Sequence, residues 1–152
     1  MGRHYLYDAH MCACRKGFTM VFVAVNYQAV LAATAVSMVL GWLWYSPMVA
    51  GNAWMHAMKM NPKDCKPSGM HFLGEAVTTF IRMWVLALVL MHFAPVSMAE
   101  GLMYVGTVWL GFTAATEFSG VIWGGFPINA FYLCSAGSLL RFLAGSAVLL
   151  SM

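Results

Sequence analysis

The chain has 152 residues, 62% of them hydrophobic and only 9% charged, with a formal net charge of +3 and a mean hydropathy of +0.75. Soluble domains carry about 25% charged residues, so this composition excludes a water-exposed globule, and its basic excess is too sparse for a nucleic-acid-binding face. A single small domain built inside a lipid bilayer is what remains.

Residues 1–19 are polar, hold Cys12 and Cys14 with the basic Arg3, Arg15 and Lys16, and show no helical periodicity. They read as an extension to a membrane domain over 20–152, and Met20 would serve equally well as a start. A signal peptide would end its apolar run sooner, because such runs stop within about 15 residues, whereas this one continues unbroken to Trp44. Cys12-Ala-Cys14 is too closely spaced for a zinc knuckle.

Four apolar runs follow: Met20 to Tyr45, Phe72 to Phe93, Gly101 to Ser119 and Ile128 to Leu150. About 20 apolar residues span a bilayer, since ~30 Å of hydrocarbon is covered at ~1.5 Å per residue. The runs are continuous rather than alternating, which excludes barrel strands. The first ends on Trp44, Tyr45 and Pro47, aromatic residues suited to the headgroup level and a proline that stops the helix. Residues 50–60 set Trp54, Ala57 and Met58 against His56 and Lys59, a pattern for a short helix lying in the interface. Two Pro-containing turns precede the second span, Ala94-Pro95-Val96-Ser97 follows it, and residues 120–127 connect the last two spans. The expected fold is all-α, an up-down-up-down four-helix membrane bundle.

Small residues recur at every fourth position in two spans: Ala29, Ala33, Ser37 and Gly41 in the first, Thr107, Gly111, Ala115 and Ser119 in the third. Lipid gives apolar helices no hydrophobic reason to associate, so such stripes act by allowing close backbone approach. The first and third spans are therefore expected to pack on each other or on a second copy in a homo-oligomer.

The costly residues are the ionised ones inside these spans. Let face B be the membrane side holding the first and third loops, and face A the other. The loop lysines Lys59, Lys63 and Lys66 would place face B inside if the chain starts at Met20. Glu75 then lies ~4.5 Å and Arg82 ~15 Å below face B, Glu117 ~3 Å below it, and Arg141 near mid-span. Helical side chains lean toward their own N-terminus, so both arginines lean toward B and Glu117 leans inward. The four heads converge, with Arg82–Glu117 as the preferred ion pair. A charge at the bilayer centre costs about 2.5–3.5 kcal/mol and normally finds a partner or a wet cavity. The cluster is read as an ion-pair set fixing helix register or as a ligand site; Asn26, Tyr45, His71 and Asn129 are secondary polar candidates.

No G-x-S-x-G, H-E-x-x-H, P-loop or dinucleotide glycine pattern is present, so no catalytic residue is assigned and no enzyme is expected. Glu75 and His71, one helical turn apart, could do proton transfer, but a lone pair does not define an active site. Met55, His56, Met58, Met60, Cys65, Met70 and His71 gather the soft ligands that Cu(I) prefers, yet 14 methionines are spread over the whole chain. Neither metal nor cofactor is expected.

Val25-Asn26-Tyr27-Gln28-Ala29-Val30-Leu31, Gly41-Trp42-Leu43-Trp44-Tyr45-Ser46-Pro47 and Ala53-Trp54-Met55 resemble the opening of the DUF1761 family of bacterial membrane proteins. Trp109-Leu110-Gly111-Phe112, Thr116, Ser119 and Ile128-Asn129-Ala130-Phe131-Tyr132 look like its second half. The resemblance runs from about Val25 to Leu149 and implies four spans in a bacterial inner membrane, with no established activity. Two functions then stand as expectations: a small transport or permeation unit using the Glu/Arg cluster, or a structural or accessory membrane protein whose charges only fix packing.

Overall fold

A computed structural model describes residues 25–60 and 68–152. The expected extension over 1–19, the start at Met20 and the loop residues Lys63, Cys65 and Lys66 lie outside them. Five helices follow in order: α1 (Tyr27–Trp44), α2 (Gly51–Ala57), α3 (Gly69–Phe93), α4 (Met98–Gly124) and α5 (Ile128–Ser151). All but α2 are long and apolar enough to cross a membrane, which makes this a multi-pass membrane protein.

Local chemistry sets the ends. The Asn26 side chain accepts from the backbone N–H groups of Gln28 and Ala29 at 3.1 and 3.2 Å, starting α1 as an N-cap. Ser68 and His71 form a capping box on α3. Ser97 caps α4 through the Glu100 amide, while the Glu100 carboxylate reaches back to Val96 N–H at 2.9 Å. Ala94, in the left-handed region at φ 42°, ends α3 just before Pro95. Gly125, at φ 66°, ends α4 where glycine alone takes that conformation without strain.

Three spans differ from expectation in length: α1, expected from Met20, begins only at Tyr27 because Asn26 caps it there. α3 starts at Gly69 and α4 runs from Met98 to Gly124, so the third loop shrinks to Gly125, Phe126 and Pro127. Glu117 accordingly lies ~10 Å from the face-B end of α4, about one and a half turns deeper than expected. Within α4, Trp109–Ala114 form a π segment that the sequence pattern did not reveal.

The packing differs more. The first and third spans share no extended contact; both pack on α5, which is the hub of the bundle and also touches α3. The α1 stripe is buried as expected, with Ala29, Ala33, Ser37 and Gly41 turned inward. The α4 stripe is not: Thr107, Gly111, Ala115 and Ser119 are all exposed on the protomer. Close approach to α5 comes instead from its own small residues. A Cβ on Gly137 would sit 2.6 Å from the Trp44 indole, and one on Gly145 2.7 Å from Ser37 Oγ. Trp44 Nε1–H also donates to the Leu133 carbonyl at 3.1 Å, and Ser37 Oγ–H to the Arg141 carbonyl at 3.2 Å.

The two halves of the bundle are unlike. Toward face A, Val25, Val30, Ala33, Met83, Leu86, Ala87, Leu90, Val105 and Phe142 form a closed apolar core. Toward face B, α3 and α4 barely touch despite their short connecting turn. That gap positions the polar groups.

Candidate functional site

Glu75 projects from the second turn of α3 and is the meeting point of the ionised groups. Its Oε1 accepts from Arg141 Nη1 at 2.6 Å and lies 3.7 Å from Arg82 Nη1. Thr79 and Thr78 hydroxyls approach the same carboxylate at 3.4 and 3.5 Å. Arg141 reaches it by running over Gly41, where an added Cβ would stand 3.1 Å from both its Cδ and its Nη1. The glycine of the α1 stripe thus gives an arginine of α5 its path to an acid of α3. Arg141 is 14% exposed at the side chain, against 39% for Arg82 and 41% for Glu75.

The preferred Arg82–Glu117 pair is absent. Arg82 turns to Glu75 on its own helix, seven residues back, and Glu117 accepts instead from Ser135 Oγ at 2.7 Å. No Lys, Arg or His among the described residues comes within 4.0 Å of Glu117. Yet all three charges share one space: Arg82, Phe112, Thr113, Thr116, Glu117, Ser138 and Arg141 line a cavity of about 230 Å³ between α3, α4 and α5. A second cavity of about 430 Å³ lies toward face B, bounded by Thr116, Glu117, Gly120, Gly124, Phe126 and Cys134. Thr116 and Glu117 line both, so the Glu117 carboxylate is common to the two spaces.

The π segment of α4 explains why Glu117 can do this. Trp109 Nε1–H donates to Ser138 Oγ at 2.9 Å, and Ser138 donates in turn to the Ser135 carbonyl at 3.0 Å. Trp109 and Glu117 must therefore both face α5. Eight residues of regular helix turn through ~800°, leaving the two side chains ~80° apart, whereas absorbing one residue in a wider turn brings them within ~20°. Trp109, Ser135 and Ser138 are site residues that the sequence reading missed.

The secondary candidates fall elsewhere. Asn26 is spent on capping α1 and is exposed. His71 Nδ1 faces Ser68 across the α3 cap, 3.1 Å from its backbone N and 2.8 Å from its Oγ, so the His71–Glu75 proton-transfer pair is not formed. Asn129 is exposed in the first turn of α5. Tyr45 is the exception: its ring packs edge-on against Trp54 of α2, with centroids 6.1 Å apart, and its hydroxyl pairs with Cys134 on the outer cavity, within electrostatic reach of Arg141 and Glu117. Among the described residues no three His, Cys, Asp or Glu come together as a metal-binding group.

What this arrangement can do is hold a polar solute below face B. The Cα atoms of Arg82 and Arg141 lie ~20 Å from the face-B ends of α3 and α5, but both guanidinium groups reach toward that face to the Glu75 carboxylate, whose own Cα is ~9 Å from it. A cavity of 230 Å³ has room for about seven waters at ~30 Å³ each, and polar walls keep such a space wet. Charged walls at that depth, left without water or ligand, would each carry the insertion penalty of a lone charge in hydrocarbon.

A family model described as a protein of unknown function, DUF1761, matches residues 28–151, which is most of the chain. No curated protein and no solved structure matches it.

Proposed function

The chain belongs to the DUF1761 family, and we propose that it is a small permeation or transport unit that admits a water-soluble solute from face B to the Glu75–Arg82–Glu117–Arg141 cluster. The observation that carries this reading is the position of Glu117, shared between an outer cavity of about 430 Å³ and an inner one of about 230 Å³. In this reading the two spaces are parts of one half-path entered from face B. The solute is passed rather than transformed, so no catalytic role is assigned. The oligomer expected from the sequence would use the outward stripe of α4, the face that the protomer leaves uncovered.

A second reading is favoured by Glu75 itself. Its carboxylate already holds Arg141 tightly and receives two threonine hydroxyls, as an ion pair that only locks α3 to α5 would require. In that reading the protein is a structural or accessory membrane component.

Cys134 on the outer cavity separates the two. With Cys12, Cys14 and Cys65 replaced by serine, a membrane-impermeant thiol reagent is applied to each side of oriented vesicles. A half-path predicts labelling of Cys134 from one side only; an inert Cys134 on both sides overturns it. Arg82→Ala adds the functional arm. A bundle that stays folded but no longer passes solute into proteoliposomes supports permeation, whereas unfolding without any solute phenotype supports the structural reading.

A further inference from the structure

The charges around the inner cavity narrow the chemistry of the solute. Glu75, Glu117, Arg82 and Arg141 sum to zero, but they are not paired evenly. Glu75 serves both arginines, at 2.6 and 3.7 Å. The long contact is the only polar one that Arg82 makes among the described residues, so most of its five guanidinium donors are free. Glu117 is the converse, a carboxylate with a serine hydroxyl on one oxygen and no cation in contact. An under-used cation and an uncompensated anion thus line one cavity.

Resting on the solute-path reading above, we propose that the inner cavity binds a small zwitterion of the amino-acid class, its carboxylate on Arg82 and its ammonium group on Glu117. Electroneutrality is the reason to prefer a zwitterion over a simple ion. The empty cluster is neutral, so a lone anion or cation would leave one uncompensated charge in a low-dielectric site, which is strongly unfavourable. A zwitterion adds no net charge and supplies both missing partners as charge-assisted hydrogen bonds. The cavity volume of about 230 Å³ is enough for a single small amino acid.

The test uses the full chain in lipid nanodiscs, with L-alanine, sodium acetate and methylammonium chloride as separate probes in a calorimetric titration. Alanine is expected to bind, and acetate and methylammonium each at least tenfold more weakly. Glu117→Gln leaves the cavity at +1 and is expected to lose alanine affinity at least tenfold while gaining acetate. Arg82→Gln leaves it at −1 and is expected to gain methylammonium; should that variant fail to fold, Glu117→Gln decides alone. Wild-type binding of acetate or methylammonium as tight as that of alanine overturns the proposal, and so does binding of none of the three. Retention of alanine by Glu117→Gln without any gain of acetate overturns it too. Cys134 labelling keeps the two inferences apart: a labelled Cys134 with no alanine binding removes the zwitterion and leaves the path, whereas an unlabelled Cys134 removes the path.

Discussion

Glu75→Gln and Glu117→Gln make the same chemical change at acids of similar depth, and the geometry predicts opposite consequences for stability. At Glu75 the substitution strips Arg141 of its 2.6 Å partner and Arg82 of its 3.7 Å one. Breaking a fully buried ion pair costs about 3–5 kcal/mol, and an exposed one costs about 1 kcal/mol or less. Arg141 is 14% exposed and Glu75 41%, which places the pair between these limits. Taking one charge out of an apolar helix offsets part of the loss, so a net destabilisation of about 2–3 kcal/mol is expected. At Glu117 the glutamine oxygen still accepts from Ser135 and no contact ion pair is lost; the +1 left on the cluster is offset by removing an unpaired carboxylate from the span, so the change should stay within about 1 kcal/mol. Reversible unfolding in mixed micelles of rising SDS fraction measures both variants on one scale. Equal destabilisation by the two substitutions would refute the division of labour between a bracing acid and a site acid, and so would a Glu75→Gln variant as stable as wild type.

Gly145→Ala should destabilise by about 1–3 kcal/mol through overpacking, because its Cβ would press on Met83 and Ser37, both fully buried. Gly106→Ala, with nothing within 4 Å, should instead stabilise by up to about 1 kcal/mol through helix propensity; the same micelle titration reads both, and a reversed order would refute the α5 hub. Deleting Gly111, an exposed residue within the π segment, should convert that segment to regular helix, keep Trp109 and Glu117 on the α5 face and leave thermal stability equal or higher. Loss of the folded state would show that the wide turn does more than absorb one residue. Trp44→Phe should cost about 1 kcal/mol for the bond to the Leu133 carbonyl, and no change in the unfolding midpoint would exclude that bond as a contributor.

The spans and the short α2 were legible because apolar length is a coarse signal that survives errors at helix ends. The depth of Glu117 was not. Its run was cut at Ser119 on hydropathy, while the helix continues through Gly120, Val121, Ile122, Trp123 and Gly124 to a glycine-terminated end. Partner choice failed for a different reason. Depth and lean say which heads share a level but not which face of α4 carries Glu117, and the π segment rotates that face. The hub position of α5 did have a signal, in Gly137-Ser138 and Gly145-Ser146, two small pairs eight residues apart that lie on one face and are all buried. Stripes at a strict spacing of four drew attention to α4 instead, and its small residues face outward.

The unequal halves of the bundle bear on how a solute could go further than the cluster. The face-B half is tied through α5 by directional bonds: Trp44 to Leu133, Trp109 to Ser138, Ser135 to Glu117 and Arg141 to Glu75. The face-A half is closed by Met83, Leu86, Leu90, Val105 and Phe142, which meet one another through dispersion, with one weak bond from Ser37 Oγ–H to Met83 Sδ at 3.7 Å. In lipid no hydrophobic term separates a helix–helix contact from a helix–lipid one. Parting those side chains would therefore expose no unpaired polar group and break no ion pair, whereas the same movement at face B would break four bonds. Any passage beyond Arg82 and Arg141 would open at the apolar end, with the polar end acting as the fixed frame.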